Sequence, residues 1–222
     1  MAKNKILLIG GGQIGGNLAL LAAQKELGNV MIYDIPQAEG MVKGKALDIL
    51  QLRPHDGYDV DISGTSNPED MKDSDVVIIT AGMPRKPGMN REDLLSINIK
   101  IISDVANNVK KYAPNAFVIV VSNPLDAIVY SFYKVSGFSK NKVVGMAGAL
   151  DTCRFKTFLA EETGFSVQDI QCMVLGGHGD TMVPMLRFAT AGGIPITELV
   201  SEQRLNEIIE RTKYAGGELV KL

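Results

Sequence analysis

The sequence predicts an α/β protein: a doubly wound parallel sheet followed by part of a smaller α+β domain. Three observations carry this. Short Val- and Ile-rich runs alternate with longer amphipathic stretches; a glycine cluster sits where the first run meets the first such stretch; and the alternation breaks near residue 150.

The runs at 6–9, 30–33, 76–80, 117–121 and 143–145 are short and continuously apolar, the signature of strands buried on both faces. Between them, 13–27, 41–52, 91–112 and 125–135 carry apolar residues at spacings of three and four, as amphipathic helices do. Strand and helix in alternation imply parallel strands joined by right-handed crossovers. Past residue 150 a helix is expected over 151–163, a strand over 170–175, and a helix over 201–222 interrupted at Gly216-Gly217. The chain ends on Val220-Lys221-Leu222, without the glycine, asparagine or proline that commonly closes a helix. The expected organisation is therefore one domain over 1–148 and an incomplete second one over 149–222.

Composition excludes several classes. The formal charge is −2 over 222 residues, with no basic stripe, so no nucleic-acid partner is expected. No apolar run approaches membrane-spanning length. Cys153 and Cys172 form neither a disulfide framework nor a zinc pattern. No metal is expected, and a reducing cytoplasm is.

Gly10, Gly12 and Gly15 fit G-x-G-x-x-G, between the first strand and the helix opening at Gln13-Ile14. In that setting the first glycine makes the turn, the second admits a pyrophosphate, and the third lets helix and strand approach: a Rossmann dinucleotide site. Asp34 ends the second strand, 19 residues after Gly15. A carboxylate there accepts from both adenine-ribose hydroxyls and repels a 2′-phosphate, which favours NAD over NADP. The plainer alternative is a turn residue before Ile35-Pro36. The loop 81–91 leaves the C-terminal end of a strand and carries Arg85, Lys86 and Arg91. It is placed to close over an anionic ligand, or it is simply a solvated basic loop. His178 stands between glycines after an apolar run, while His55 lies in a polar stretch. An imidazole, which titrates at about pH 6.5 in water, can take a proton from an alcohol. Asp151 is the candidate partner for the resulting imidazolium. Arg154 follows three residues later on the same helix face, as a carboxylate anchor or as a local ion pair with Asp151. Tyr130 and Lys134 match Tyr-x-x-x-Lys of short-chain dehydrogenases, but the T-G-x-x-x-G-x-G spacing of that family is absent and the match reads as chance.

These motifs, with Val121-Ser122-Asn123-Pro124, Leu150-Asp151-Thr152-Cys153-Arg154-Phe155 and Gly176-Gly177-His178-Gly179-Asp180, resemble the lactate/malate dehydrogenase family, and within it the lactate-dehydrogenase-like malate dehydrogenases of bacteria. The resemblance implies His178 as proton acceptor paired with Asp151, Arg154 as anchor of the substrate carboxylate, and Arg91 as the lid residue that polarises the carbonyl. It implies that Asn123 bonds the substrate oxygen beside the nicotinamide, and that Gly10, Gly12, Gln13, Ile14, Gly15, Asp34, Asn98, Val121 and Ser122 contact NAD. Arg85 stands where lactate dehydrogenases usually have glutamine. A second substrate carboxylate under a lid would need such a cation. The expectation is reversible oxidation of (S)-malate to oxaloacetate in the tricarboxylic acid cycle, by a homodimer or homotetramer. L-lactate dehydrogenase, or an NAD-binding fragment without turnover, are the alternatives. Two departures stand out: family members continue past this chain's end, and the connection from Ile196 to Arg204 is shorter than usual.

Overall fold

A computed structural model describes residues 3–83 and 91–221, with the side chains of 91–93 and 220 outside that description. Arg85 and the rest of the predicted lid over 84–90 lie outside it too, as does the Arg91 side chain.

The chain forms two compact units, Met1–Gly145 and Met146–Leu222. In the first, β1 (Lys5–Ile9), β2 (Asn29–Tyr33), β3 (Ile62–Thr65), β4 (Val76–Ile79), β5 (Phe117–Val120) and β6 (Val143–Gly145) make one sheet in the order β3-β2-β1-β4-β5-β6. All its pairings are parallel. Central β1 is apolar on both faces because both are covered, and Leu7 and Leu8, which point to opposite sides, are each 0% exposed. Helices α1 (Gln13–Gln24) and α2 (Glu39–Asp56) pack on each other, as do α3 (Arg91–Tyr112) and α4 (Leu125–Ser136). The strand order reverses between β1 and β4, and doubly wound sheets bind ligands at the carboxyl ends of strands flanking that point.

Two elements differ from the sequence reading. Strand β3 was not anticipated: it is short and carries Gly64 in its middle. A Cβ on Gly64 would lie 2.4 Å from the backbone of Val42, so the bare backbone is what lets α2 lie against β3. Helix α2 is longer than 41–52 at both ends: it runs from Glu39 to Asp56, carries Pro54 in its last turn, and is closed by Gly57 with a left-handed φ of 81°.

The second unit begins with α5 (Gly148–Thr163) and ends with α7 (Glu202–Lys221). Between them lie β7 (Ile170–Gln171), β8 (Val174–Leu175), β9 (Val183–Pro184), β10 (Thr190–Ala191), β11 (Ile194–Pro195) and the single turn α6 (Ile196–Leu199). The single strand expected over 170–175 is two strands in different sheets, β11-β10-β7 and β8-β9. The break has a tertiary cause: the Val174 N–H donates to Thr152 Oγ1 on α5 at 2.9 Å, which turns the chain toward that helix. Helix α7 runs unbroken through Gly216-Gly217, against expectation. Each glycine costs a helix about 1 kcal/mol. The stripe Leu205, Ile208, Thr212 and Ala215, all 4% exposed or less, offsets this by burial. Phe155 and Leu159 of α5, both 0% exposed, lie in the same core.

Candidate active site

The turn from β1 to α1 is built by the absence of side chains. A Cβ on Gly15 would lie 1.8 Å from the Gly10 carbonyl oxygen, so strand end and helix start touch backbone to backbone. Gly10 adopts φ +106°, and a Cβ there would lie 2.6 Å from the Ala81 nitrogen. Gly12 differs: a Cβ would meet nothing within 4 Å. It caps α1 without offering a side-chain acceptor, so the first helical N–H groups face outward with no side-chain cap. In front of them is a cavity of about 510 Å³, lined by Gly12 to Gly15, by Thr80, Gly82 and Met83 after β4, by Leu94 and Asn98 of α3, and by Val121 to Asn123 after β5. Ile14, 57% exposed, presents an apolar side chain to it.

Asp34 sits at the end of β2. Its Oδ2 accepts the Gly11 N–H at 2.7 Å and its Oδ1 the Ile35 N–H at 2.8 Å. The carboxylate is thereby fixed beside the turn, and each oxygen keeps lone-pair capacity for a further donor. The groove fits a dinucleotide: uncapped N–H groups and a helix N-terminus for the phosphates, an acid on β2 for ribose hydroxyls, and an apolar wall.

The far wall is pinned by polar side chains, of which Asn98 and Ser122 are buried and Thr80 half-buried. Asn98, 3% exposed, accepts the Met83 N–H at 2.7 Å and donates to the carbonyls of Met83 at 3.3 Å and Asn123 at 2.9 Å. It therefore ties the backbone of Met83 to the loop after β5. Ser122 donates to the Ala81 carbonyl at 2.6 Å, and Thr80 to the Gly10 carbonyl at 3.0 Å. Val121 is held to β4 by its N–H bond to Ile79, at 2.8 Å.

The second unit carries the titratable cluster. Asp151 lies in the first turn of α5 with its side chain 2% exposed. Its Oδ2 is 2.8 Å from His178 Nδ1, and its Oδ1 accepts from Arg154 Nη1 at 3.1 Å. A carboxylate facing Nδ1 makes that nitrogen the donor, which leaves basicity with Nε2. The contact spans 27 positions of sequence and depends on the Gly176–Asp180 segment folding back toward α5. The local ion pair considered for Asp151 and Arg154 is present. It uses one guanidinium nitrogen; Nε and Nη2 of Arg154 have no acceptor among the described residues. Gly216 of α7 lies against Nη2: a Cβ there would sit 3.7 Å away. The helix glycine that reads in sequence as an interruption is a neighbour of the candidate anchor.

Other sequence features fall outside the cluster. The His55 side chain is 86% exposed. Tyr130, 61% exposed, has the Lys134 ammonium 5.3 Å from its ring centre, a surface cation–π pair. Sequence reasoning missed Lys45, whose Nζ donates to the carbonyls of Gly11 at 2.6 Å and Gly12 at 3.0 Å. No short-range spacing connects it to the turn; only the packing of α2 on α1 does.

Two domain families match nearly the whole chain. Residues 4–145 match the lactate/malate dehydrogenase NAD binding domain, and residues 148–222 the lactate/malate dehydrogenase alpha/beta C-terminal domain. The chain belongs to the lactate/malate dehydrogenase family. It is an NAD-dependent oxidoreductase by that membership, and the glycine groove lies in the NAD-binding part. The chain is 63% identical over 220 residues to a malate dehydrogenase of Myxococcus xanthus, covering 99% of this chain and 70% of that relative. The malate dehydrogenase of Picrophilus torridus in its apo form superposes with TM-score 0.95 at 45% identity, covering 99% of this chain and 69% of that one. A Cryptosporidium parvum lactate dehydrogenase solved with lactic acid and the nicotinamide cofactor superposes almost as well, at TM-score 0.94 and 44% identity, over 100% of this chain and 71% of that one. The backbone is thus common to both activities, and the choice between them rests on side chains.

Proposed function

We propose that the protein is a malate dehydrogenase, interconverting (S)-malate and oxaloacetate with NAD. The carrying observation is the buried carboxylate of Asp151, with His178 on one oxygen and Arg154 on the other. A 2-hydroxy acid presents a hydroxyl and a carboxylate on neighbouring carbons. One aspartate here sets the group that suits each: an imidazole for the hydroxyl proton and a guanidinium for the carboxylate.

In the oxidation direction, His178 Nε2 accepts the malate hydroxyl proton while Nδ1–H stays with Asp151, which balances the imidazolium. Arg154 holds the adjacent carboxylate through its remaining forked donors and so fixes which face of the reacting carbon is presented. NAD, when bound, accepts the hydride from that carbon. The turn at Gly10, Gly12, Gln13, Ile14 and Gly15, with Asp34 and the wall at Asn98, Val121, Ser122 and Asn123, holds and orients it. Arg91 and Arg85 complete the reading as the residues that polarise the carbonyl and receive the second carboxylate, with 1–148 as the NAD domain and 149–222 as the substrate domain. The reading extends to a cytoplasmic homodimer or homotetramer serving the tricarboxylic acid cycle. Two unbridged cysteines accord with the reducing compartment.

Malate is favoured over lactate by Arg85 and by the relatives named malate dehydrogenase, one of them 63% identical. Replacement Arg85→Gln tests this. The ratio of kcat/KM for oxaloacetate to that for pyruvate should fall by two orders of magnitude or more (roughly), since a dicarboxylate would lose its cation while pyruvate would no longer face an unpaired one. An unchanged ratio would remove Arg85 as the residue that selects malate over lactate.

A further inference from the structure

The glycine cluster holds two glycines more than a dinucleotide turn requires. Gly10, Gly12 and Gly15 account for the fingerprint; Gly11 and Gly16 do not belong to it, and a Cβ on Gly11 would meet Val42 Cγ1 at 2.2 Å, which leaves Gly16 to be explained. A Cβ on Gly16 would lie 3.3 Å from Nζ, 3.4 Å from Cδ and 3.7 Å from Cε of Lys45. The end of the Lys45 side chain therefore runs across a helix surface left bare at Gly16, and its ammonium donates to the carbonyls of Gly11 at 2.6 Å and Gly12 at 3.0 Å. The Gly11 N–H is held from the other end, by Asp34 Oδ2 at 2.7 Å.

We propose that Lys45 is a positioning residue for the cofactor, acting through the Gly11 and Gly12 carbonyls, with Gly16 conserving the space its side chain occupies. Peptide units are planar and trans, so C=O and the following N–H point in opposite directions. A cation fixing the Gly11 carbonyl also aims the Gly12 N–H, and one fixing the Gly12 carbonyl aims the Gln13 N–H. Both of these residues line the groove. Lys45 on α2 thus sets the direction of donors on the opposite side of the turn. It also sets a positive charge against the carbonyl ends of these two peptide dipoles, where those ends would otherwise lower the potential felt by a pyrophosphate. Asp34 and Lys45 together grip Gly11 at both ends, which couples the ribose-binding carboxylate to the phosphate-binding amides. The inference rests on the turn being the NAD site and is independent of the choice between malate and lactate.

The test compares Lys45→Met, Lys45→Arg and Gly16→Ala in the intact protein, by calorimetric binding of NADH, ADP-ribose and adenosine and by steady-state kinetics. Lys45→Met should weaken NADH about tenfold, equivalent to about 1.4 kcal/mol at 25 °C. KM for NAD should rise with it, while kcat and KM for the hydroxy acid stay within about twofold. Lys45→Arg should recover most of the affinity. Gly16→Ala, which keeps the lysine but crowds its ammonium and the end of its stem, should weaken NADH several-fold and add little when combined with Lys45→Met, since both act on one contact. The loss should be larger for ADP-ribose than for adenosine, which has no phosphate. NADH affinity within about twofold of the parent in both Lys45→Met and Gly16→Ala would overturn the proposal. So would an equal loss for adenosine and ADP-ribose, or a fall in Tm with NADH affinity intact, either of which would reduce Lys45 to a packing contact. A parent protein that binds no NADH would instead overturn the reading of the turn itself, a result visible before any variant is made.

Discussion

Replacing Asp151 with asparagine removes one charge and almost no volume from the centre of the titratable cluster. The side chain is 2% exposed, with His178 Nδ1 at 2.8 Å on one oxygen and Arg154 Nη1 at 3.1 Å on the other. Two unit charges about 4 Å apart, the scale of the separation between imidazolium and carboxylate centres in such a contact, interact by about 4 kcal/mol at an effective dielectric near 20. Arg154 already neutralises part of the same carboxylate, so roughly half of that, about 2 kcal/mol, remains as support for a proton arriving on His178. At 1.36 kcal/mol per decade this alone slows turnover about 30-fold. An asparagine amide can also present its NH2 group to Nδ1, which would move the imidazole proton to Nε2 and remove the basic nitrogen from the substrate. In a serine-protease triad the corresponding Asp-to-Asn change costs about 10⁴ through the wrong tautomer. The expected fall in kcat is therefore about 10² to 10³. It is read as the initial rate of NADH oxidation at saturating oxaloacetate. NADH affinity should not change, because the groove residues lie between 12 and 123, in the other unit. A kcat within about threefold of the parent would refute the assignment of Asp151 as the support of His178.

Gly15→Ala would place a methyl group 1.8 Å from the Gly10 carbonyl oxygen, a contact that only a backbone shift can relieve. NADH binding should fall below detection in calorimetry with a lowered Tm, and an alanine variant of parental affinity would contradict the close approach of β1 and α1. The two cysteines should separate by reactivity: burial pushes the Cys172 thiol up to about 11, whereas Cys153 is exposed. A raised thiol pKa means that thiolate is scarce below it and grows about tenfold per pH unit on approach. Iodoacetamide at pH 8 should thus label Cys153 well before Cys172 in peptide mass spectra, and Cys172 labelling should climb steeply toward pH 10. Equal rates at pH 8 would show that Cys172 is not shielded.

Most of the first unit was legible because its signals are local. Apolar runs such as Ile6–Ile9 are legible as strands because a sheet covered on both faces needs unbroken hydrophobicity, and Gly10, Gly12 and Gly15 are legible as a turn because backbone contacts exclude a Cβ at the first and third. Strand β3 was not legible, since four residues with a central glycine give too little periodicity, and the need for Gly64 appears only once α2 lies on it. The second unit was read less well for the same reason. Its strands are two residues long, and the break between β7 and β8 is decided by a bond from Val174 to a side chain 22 positions away.

The sequence by itself determined the fold class, the glycine turn between β1 and α1 and the chemical identity of the candidate groups, His178, Asp151, Arg154 and Asp34, because these depend on residue type and near-neighbour spacing. Only the tertiary structure decided which atoms face each other. It set His178 Nδ1 on the second oxygen of a carboxylate whose first oxygen holds Arg154, it turned Asn98 into a brace between Met83 and Asn123, and it brought Lys45 onto the glycine turn. Hydrogen bonds across 15 to 34 positions leave no periodic mark in a sequence. They arise when packed helices and strands fix both ends, and burial then makes an unsatisfied donor or acceptor too costly to leave.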